Sequence, residues 1–319
     1  MRHDRSRPAA ELPAWAGLLL ARRPDKVTLS VPLAELTTLR IGGPATAVCR
    51  IENAADAAMF QGFSRDHRLP AYVLGGGSNV LADDDGFPGL ILQVATDTYR
   101  VTGTTVQAGA GLEFDRLIAR TIADGLTGLE FASGIPGTLG GALVGNAGCF
   151  GHEIGEFLVE ASVLLPDGTL AVLSPGDFGF GYRDSRLKES GAVVLAAVLR
   201  LRRGDTAAAT REREERRAER LLKHPVLEPC AGSWFKNLPP AAPGERRRAA
   251  GELLDRAGAR TLRVGGAAVF DRHANIVVNA GGATSAEVRE LVRRMSAAVR
   301  DQFGIELEEE VRYLRPPRR

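Results

Sequence analysis

The chain has 319 residues, of which 44% are hydrophobic and 25% charged, a composition typical of a globular protein with room for two or three domains. Its 41 basic and 39 acidic residues leave a net charge of +2, which gives no reason to expect a nucleic acid or an anionic membrane as a partner. The three cysteines, Cys49, Cys149 and Cys230, are far apart and odd in number. They indicate neither a disulfide framework nor a metal site, so we expect a cytoplasmic protein.

A short apolar run at residues 14–21 follows several arginines near the N-terminus. Pro13 stands beside the run, and Arg22 and Arg23 occupy the place where a signal peptide would be cleaved. We therefore interpret residues 1–25 as an N-terminal extension that contains a short helix packed on the surface. No apolar run approaches the roughly 20 residues that a membrane-spanning helix needs.

Between residues 26 and 201, short apolar runs are separated by Gly, Pro and Asp. This pattern predicts a helix at 112–123 and a turn at 166–168. The apolar runs themselves predict strands at 48–51, 71–74, 90–94, 105–108, 161–165, 170–173 and 193–201. The layout is an α+β arrangement with several hairpins, because helices do not alternate regularly with the strands.

The second half of the chain begins with a predicted helix at 207–222, in which Glu212 and Arg216 have the i,i+4 spacing of an ion pair. Its charges nearly cancel, which favours a solvated helix joining two domains over a nucleic-acid surface. A later helix that ends near Phe303 has one apolar face. Residues 305–314 then alternate as a strand would, and a basic tail follows at 315–319.

Two glycine-rich segments, 72–81 and 128–151, stand out from these elements. Glycine is tolerated at such density where the backbone turns through positive φ or approaches a ligand closely. Exposed N–H groups at such places suit phosphate, so two backbone cradles predict a large ligand with a pyrophosphate. Neither segment has the ending of a P-loop or the dinucleotide fingerprint Gly-x-Gly-x-x-Gly. The alternative is that both are simply turns between strands.

Six motifs occur in order along the chain: Thr-Leu-Arg-Ile-Gly-Gly-Pro (38–44), Leu-Gly-Gly-Gly-Ser-Asn (74–79), Gly-Leu-Glu-Phe-Ala-Ser-Gly-Ile-Pro-Gly (128–137), Gly-Tyr-Arg-Asp-Ser (181–185), Ala-Gly-Ser-Trp-Phe-Lys-Asn (231–237) and Leu-Glu-Glu-Glu-Val-Arg (307–312). Together they resemble the UDP-N-acetylenolpyruvoylglucosamine reductases of bacterial cell-wall synthesis, and the resemblance extends from residue 26 to residue 314. The stretch 182–201 is too short for an insert found in one subclass, so the chain is similar to the shorter, second type.

The resemblance implies an FAD-binding fold of the vanillyl-alcohol-oxidase type with two subdomains, followed by an α+β substrate-binding domain. Subdomain 1 would span 26–95, subdomain 2 would span 96–203 and the substrate domain 204–304. Residues 305–314 would return to subdomain 1.

The resemblance also implies non-covalent FAD as cofactor and NADPH as reductant. The residues that it places around FAD are Arg40, Gly75, Gly76, Gly77, Ser78, Asn79, Ser133, Gly134, Ile135, Pro136, Gly137, Gly140, Asn146 and Gly148. The substrate would be a UDP-sugar with an enolpyruvyl ether, contacted by Tyr182, Lys223 and Asn237. Hydride would pass from nicotinamide through the flavin to the enolpyruvyl double bond.

Three residues match the catalytic positions of the family. Arg183 would bind the carboxylate and stabilise the enolate that forms, Ser233 would protonate the α-carbon, and Glu310 would assist. Judged without the family, an arginine in Arg-Asp-Ser is as readily part of a local ion pair, and a serine after glycine is ordinarily a turn residue. Alternation along 305–314 places Glu309, rather than Glu310, on the apolar face, so the pattern and the resemblance favour different glutamates.

Two other functions remain open at this point. One is a different flavin oxidoreductase of the same fold that acts on a hydroxy acid or sugar, and His152 is then the candidate for covalent flavin attachment. The other is a non-catalytic protein that binds flavin or a UDP-sugar. In every case we expect a monomer with no metal site and no nucleic-acid or membrane partner.

Overall fold

The computed structural model describes residues 12–225, 228–242 and 244–316. Residues 1–11 of the N-terminal extension and 317–319 of the basic tail therefore lie outside the described residues. The helices are α1 (Ala14–Arg22), α2 (Ala54–Asp66), α3 (Phe114–Ala123), α4 (Leu139–Val144), α5 (Pro175–Phe178), α6 (Thr206–Lys223), α7 (Ala250–Arg256) and α8 (Ser285–Phe303). Within the described ranges, none of these helices has the length and apolarity needed to cross a bilayer.

Strands supply most of the remaining regular structure and form three main sheets with three smaller pairs. They are β1 (Val27–Pro32), β2 (Pro44–Ile51), β3 (Ala71–Leu74), β4 (Val80–Ala82), β5 (Phe87–Val94), β6 (Tyr99–Thr102), β7 (Thr105–Gly109), β8 (Leu126–Thr127), β9 (Gly148–Cys149), β10 (His152–Glu153), β11 (Leu158–Leu164), β12 (Leu170–Leu173), β13 (Val193–Arg200), β14 (Arg202–Arg203), β15 (Cys230–Ser233), β16 (Arg263–Val264), β17 (Ala267–Phe270), β18 (His273–Asn279) and β19 (Arg312–Leu314). Each strand that the sequence predicts between residues 48 and 201 is present, with ends shifted by a few residues.

The first sheet has the order β1-β2-β5-β3, with β2, β5 and β3 parallel. Helix α2 packs against it, starting after Asn53, whose side chain accepts a hydrogen bond from the Asp56 amide. Strand β3 ends at Leu74 and leads directly into the first glycine segment. The sheet therefore delivers this segment to one edge of the subdomain.

The final strand returns to this part of the molecule, as the resemblance implies, and β19 pairs with β4 in parallel. The predicted strand over 305–314 is nevertheless too long, because only Arg312–Leu314 is regular strand. The preceding residues bond to a different partner: the Glu310 amide donates to the Trp234 carbonyl at 2.7 Å, and the Lys236 amide donates to the Glu308 carbonyl at 2.8 Å. The end of this segment thus pairs with β4, whereas its middle bonds to the residues that follow β15.

The second sheet is antiparallel, with the order β12-β11-β13-β7-β6. Strand β13 lies at its centre and is almost wholly buried. The predicted turn at 166–168 joins β11 to β12, with Gly168 at φ +93°. Apolar side chains of the first and second sheets belong to one continuous core, so these two units form one body.

The third sheet has the order β15-β18-β17-β16 and is covered by α7 and α8. Helix α8 begins with a capping box in which Thr284 and Glu287 each bond the other's backbone amide. Its predicted apolar face is confirmed, because Val288, Leu291, Val292, Met295 and Val299 are buried. This unit has its own core, joined by Leu39, Ile41 and Leu81 from the first unit.

Helix α6 contains the predicted ion pair, with 3.4 Å between Arg216 and Glu212. It does not lie free between two domains. Arg213 and Arg217 both reach Asp115 at the start of α3, with N–O distances of 2.7 and 3.1 Å. By its contacts the helix belongs with α3, β8 and residues 130–132, where complementary charges on Asp115 help to attach it.

Candidate active site

A cleft of about 690 Å³ lies where the three units meet. This volume is in the upper part of the range usual for ligand and cofactor sites. Both glycine segments line it, together with the turn that contains Arg183, the end of α6, the end of β15 and the segment before β19. The cleft therefore combines bare backbone on one side with charged and polar side chains on the other.

The two glycine segments pack directly against each other at the floor of the cleft. The Ser78 hydroxyl donates to the Pro136 carbonyl at 3.0 Å. A Cβ atom on Gly76 would lie 2.9 Å from the Cα of Gly137, and one on Gly75 would lie 2.5 Å from the Thr138 hydroxyl. Glycine is needed here because a side chain would keep the two loops apart. The concave surface of the cleft forms because the loops can touch.

Most residues that the sequence assigns to the cofactor line the cleft. They are Gly75, Gly76, Gly77, Ser78, Asn79, Ile135, Pro136, Gly137, Gly140 and Gly148. Their placement agrees with the prediction of a ligand held by backbone, while their contacts with FAD stay a prediction.

Four of the assigned cofactor residues do not line the cleft. Arg40 is exposed, and its carbonyl accepts a hydrogen bond from Asn279 of the third sheet at 3.3 Å. The buried Ser133 hydroxyl donates to the Glu130 carbonyl at 2.8 Å. The neighbouring Gly134 donates its amide to Asp115 at 2.8 Å.

Asn146 is the fourth, and it is buried behind the wall of the cleft. Its amide group donates to the Gly181 carbonyl at 2.9 Å, and its oxygen accepts from the Gly155 amide at 3.2 Å. Asn146 therefore supports the turn that carries Tyr182 and Arg183.

Arg183 and Glu310 meet in the cleft although 127 positions separate them in the chain. The Arg183 Nε lies 3.4 Å from Glu310 Oε1, and both side chains are about one-fifth exposed. Arg183 has a left-handed backbone with φ +55°, and its guanidinium also donates to the Gly148 carbonyl. Lys188 donates to the Arg183 carbonyl at 3.1 Å. These contacts fix a cation at a defined point of the wall.

Glu310, and not Glu309, faces the cleft. Burial raises the pKa of Glu310, and the positive charge of Arg183 opposes this shift. Glu309 instead accepts hydrogen bonds from the Trp234 indole at 3.0 Å and from the Tyr313 hydroxyl at 2.5 Å. The alternation argument for Glu309 is wrong about position, because backbone pairing with two units removes a simple strand periodicity here.

Ser233 lies at the end of β15 and lines the cleft. Gly232 before it has φ +77°, and Trp234 after it is completely buried, with its amide bonded to the Asn275 carbonyl at 2.7 Å. Ser233 itself pairs with Ile276 of β18, so this pairing and the buried Trp234 fix its position. Within the described part of the chain, its hydroxyl makes no hydrogen bond, which leaves it available to a ligand.

Among the predicted substrate residues, Tyr182 and Asn237 line the cleft and Lys223 does not. Lys223 is 60% exposed and bonds Glu219, one turn earlier in α6, at 2.6 Å. The last turn of α6 points this lysine to solvent. Arg220, three residues before it, enters the cleft instead.

Arg220 and Lys188 are cations of the cleft that sequence reasoning missed. Burial lowers the pKa of both groups. Arg220 has no acidic partner among the described residues, and a half-buried cation without a counter-ion marks a place suited to an anionic group of a ligand. The only signal in the sequence was the position of Arg220 about one helical turn before Lys223 in the same helix.

The histidines give no support for a metal or for covalent flavin. His152 is 57% exposed, pairs with Glu156 at 2.9 Å and does not line the cleft. His224 and His273 do line it, with 5.5 Å between ring centroids. Burial lowers the pKa of His224 to about 4, so it is neutral at pH 7. The described ranges contain no group of three or more potential metal ligands, and all three cysteines are free.

Comparison with protein families gives two matches along the chain. Residues 45–174 match a family model described as an FAD binding domain. Residues 224–314 match the C-terminal domain of UDP-N-acetylenolpyruvoylglucosamine reductase. The first match covers both glycine segments and all strands of the first two sheets except β1 and β13, and the second covers the third sheet and β19.

Individual relatives agree over nearly the whole chain. UDP-N-acetylenolpyruvoylglucosamine reductase 2 of Symbiobacterium thermophilum is 37% identical over 92% of this chain and 94% of its own. The reductase of Anaeromyxobacter dehalogenans is 40% identical over 94% of this chain and 89% of its own. The crystal structure of the reductase from Thermus caldophilus superposes with a TM-score of 0.75 and 34% identity, covering 89% of this chain and 98% of that one. The chain therefore belongs to the UDP-N-acetylenolpyruvoylglucosamine reductase family.

Proposed function

We propose that the protein is an FAD-containing, NADPH-dependent reductase that converts the enolpyruvyl group of UDP-N-acetyl-3-O-(1-carboxyvinyl)-glucosamine to a lactyl ether. The product, UDP-N-acetylmuramate, is a peptidoglycan precursor. One observation carries the proposal: Arg183, Ser233 and Glu310, from three distant segments, share one cleft with the paired glycine segments.

The glycine segments fit a flavin dinucleotide. Gly75, Gly76, Gly77 and Gly137 line the cleft and have no side chain, which suits the close approach of a pyrophosphate to backbone. Arg220, with no acidic partner among the described residues, adds a positive charge on the same cleft. When bound, FAD supplies the hydride-transfer chemistry that amino-acid side chains lack.

Arg183 would hold the substrate carboxylate. Hydride addition to the β-carbon of the enolpyruvyl group moves negative charge toward that carboxylate, giving an enolate. A guanidinium stays charged at any working pH and can bind a carboxylate through two N–H groups. Because Gly148, Lys188 and Glu310 already hold Arg183, it need not reorganise as the charge develops.

Ser233 would donate the proton that the α-carbon requires. A hydroxyl is a weak acid, but an enolate in a cleft from which water is excluded is a strong enough base to take its proton. The new C–H bond completes the reduction, and solvent then restores the proton of Ser233. Glu310 would assist through its carboxyl, which burial keeps protonated to a higher pH than usual.

The wider setting of this proposal is a monomeric cytoplasmic enzyme with a small-molecule substrate. The free cysteines support the cytoplasmic location. A sugar or hydroxy-acid oxidase of the same fold is the alternative function. It receives no support from His152, which lies outside the cleft.

A direct test uses the purified protein without oxygen. We expect a yellow protein that releases its flavin on denaturation, is bleached by NADPH and regains its absorbance when the enolpyruvyl UDP-sugar is added. A flavin that stays covalently attached on denaturation, or that stays bleached when this sugar is added, would contradict the proposal.

A further inference from the structure

A loop that starts directly after the cleft residue Asn237 contains one arginine that differs from its neighbours. This loop, residues 238–248, is closed at its base because Leu238 and Arg248 exchange backbone hydrogen bonds of 3.0 and 3.2 Å. Beyond Leu238, its described residues are exposed except Arg247, which is half-buried. Arg246 and Arg248 on either side point to solvent. The partial burial of one arginine among three indicates a specific contact.

Arg247 contacts both sides of the cleft. Its guanidinium carbon lies 3.7 Å from the ring centroid of Tyr182, in the turn after α5, a helix that packs on the second sheet. Its Nε and Nη2 donate to the carbonyl of Asn237, in the third unit, at 3.2 and 3.0 Å. Tyr182 and Asn237 line the cleft, whereas Arg247 does not. Arg247 therefore joins two lining residues from behind.

Each of these two residues leads to the ligand side of the site. Tyr182 precedes Arg183, whose guanidinium carbon lies 5.4 Å from the same ring centroid. The side-chain oxygen of Asn237 accepts a hydrogen bond from the Ala250 amide at 3.2 Å, which leaves its NH₂ group as a donor. A change at Arg247 would therefore displace two groups. One is the Tyr182 ring beside Arg183, and the other is the backbone of Asn237, whose side chain is a proposed substrate donor.

We propose that Arg247 is a positioning residue that latches two walls of the cleft together by holding Tyr182 against Asn237. This inference rests on the proposed function in that the ligand held between these two residues is the UDP-sugar. The charged fork of Arg247 suits the role, since one planar group stacks on an aromatic ring and donates to a carbonyl at the same time. The latch acts on substrate affinity and takes no part in the reduction of the flavin.

Kinetics of matched variants test this assignment. Arg247→Met should raise the KM for the UDP-sugar about tenfold, since a partly desolvated cation–π contact typically accounts for a factor of that order. The kcat and the rate of flavin bleaching by NADPH should stay within twofold of the parent. Arg246→Met, in the same loop, should change none of these values, and Arg247→Lys should recover only part of the KM. An unchanged KM in Arg247→Met, or a loss of kcat alone, would overturn the proposal.

Tryptic cleavage of the FAD-loaded enzyme gives a readout that needs no activity. Tyr182→Leu removes the ring and adds no cleavage site, so it should speed cleavage after the arginines of the 238–248 loop about tenfold. Tyr182→Phe keeps the ring and should match the parent. Equal cleavage in all three proteins would overturn the latch even if the parent reduces the UDP-sugar. Faster cleavage in Tyr182→Leu would support it even if the parent does not, and only the proposed function would then fail.

Discussion

The two walls of the cleft are built by different means. The wall assigned to the cofactor is backbone, formed where Gly76 and Gly137 bring two loops into contact. The wall assigned to catalysis is made of side chains, and Arg183, Ser233 and Glu310 reach it from a turn, a strand end and the segment before β19. One wall depends on the absence of side chains, whereas the other depends on their identity.

This difference determines how each wall can be changed. The backbone wall offers no functional group that a substitution could remove. A substitution there can only add a side chain, and the added atoms push the two loops apart. A side-chain wall can lose one functional group while its geometry stays in place. Substitutions in the first wall should therefore abolish cofactor binding, and substitutions in the second should affect single steps.

The largest effect is expected from Gly76→Ala. The new Cβ would lie 2.9 Å from the Gly137 Cα, a backbone atom that cannot rotate away. The loops should separate, and the variant should be isolated without yellow colour. Gly62→Ala is the matched control, because its Cβ would approach nothing closer than the end of Arg65, at 4.0 Å. Flavin absorbance per mole of protein measures the outcome, and full flavin content in Gly76→Ala would contradict this role of the loop contact.

The next largest effect is expected from Glu310→Gln. This change keeps the shape of the side chain and removes an ionisable group from the cleft, and such acid–base groups typically contribute ~10²–10⁴-fold to the rate. Steady-state turnover at saturating UDP-sugar should fall within that range while the flavin content stays at the parent level. Parent-like turnover would remove Glu310 from the mechanism.

The adjacent Glu309→Gln should affect stability and not turnover. One carboxylate oxygen of Glu309 accepts from both Trp234 and Tyr313, and an amide at this position could turn a donor toward one of them. We expect a loss of about 1 kcal/mol in the free energy of unfolding. This is the low end of the range for a buried donor that loses its acceptor, because Trp234 is buried but Glu309 is itself exposed. Chemical denaturation measures this loss. Turnover that falls more than in Glu310→Gln would reverse the assignment of the two glutamates.

The smallest effect concerns pH. Burial raises the pKa of Glu310 in the folded protein above its usual value of 4.5, so the folded chain binds more protons than the unfolded chain between these two values. The parent should therefore lose stability as pH rises through this window, and Glu310→Gln should not. We expect the variant to melt slightly higher than the parent at pH 8 and at the same temperature at pH 4. A variant that is less stable at pH 8 would mean that the Arg183 ion pair outweighs the cost of burial.

The backbone wall was visible in the sequence because it is local. Glycine runs in 72–81 and 128–151 predicted two cradles, and both line the cleft. The sequence could not show that the cradles touch, since that contact joins residues about 60 positions apart. Ser133 and Asn146 lie in the second glycine segment, which places them among the expected cofactor residues. Their hydrogen bonds to backbone carbonyls instead turn both side chains into the protein.

The side-chain wall could be predicted only in part. The resemblance supplied Arg183, Ser233 and Glu310, whereas alternation favoured Glu309. It also supplied Lys223, which helix geometry turns to solvent, and it missed Lys188 and Arg220. Which face of α6 meets the cleft is decided by its packing on Asp115, and no pattern within the helix reveals that partner.

The central claim, that Ser233 supplies a proton after the hydride has moved, is tested most directly by following the flavin of Ser233→Ala in a stopped-flow experiment. Bleaching by NADPH should proceed at close to the parent rate, because this step makes no use of the hydroxyl. Recovery of the absorbance with the UDP-sugar should slow by at least ~10²-fold, and Ser233→Cys should regain part of the rate. If Ser233→Ala recovers its absorbance as fast as the parent, Ser233 is a structural turn residue and the proton comes from another group.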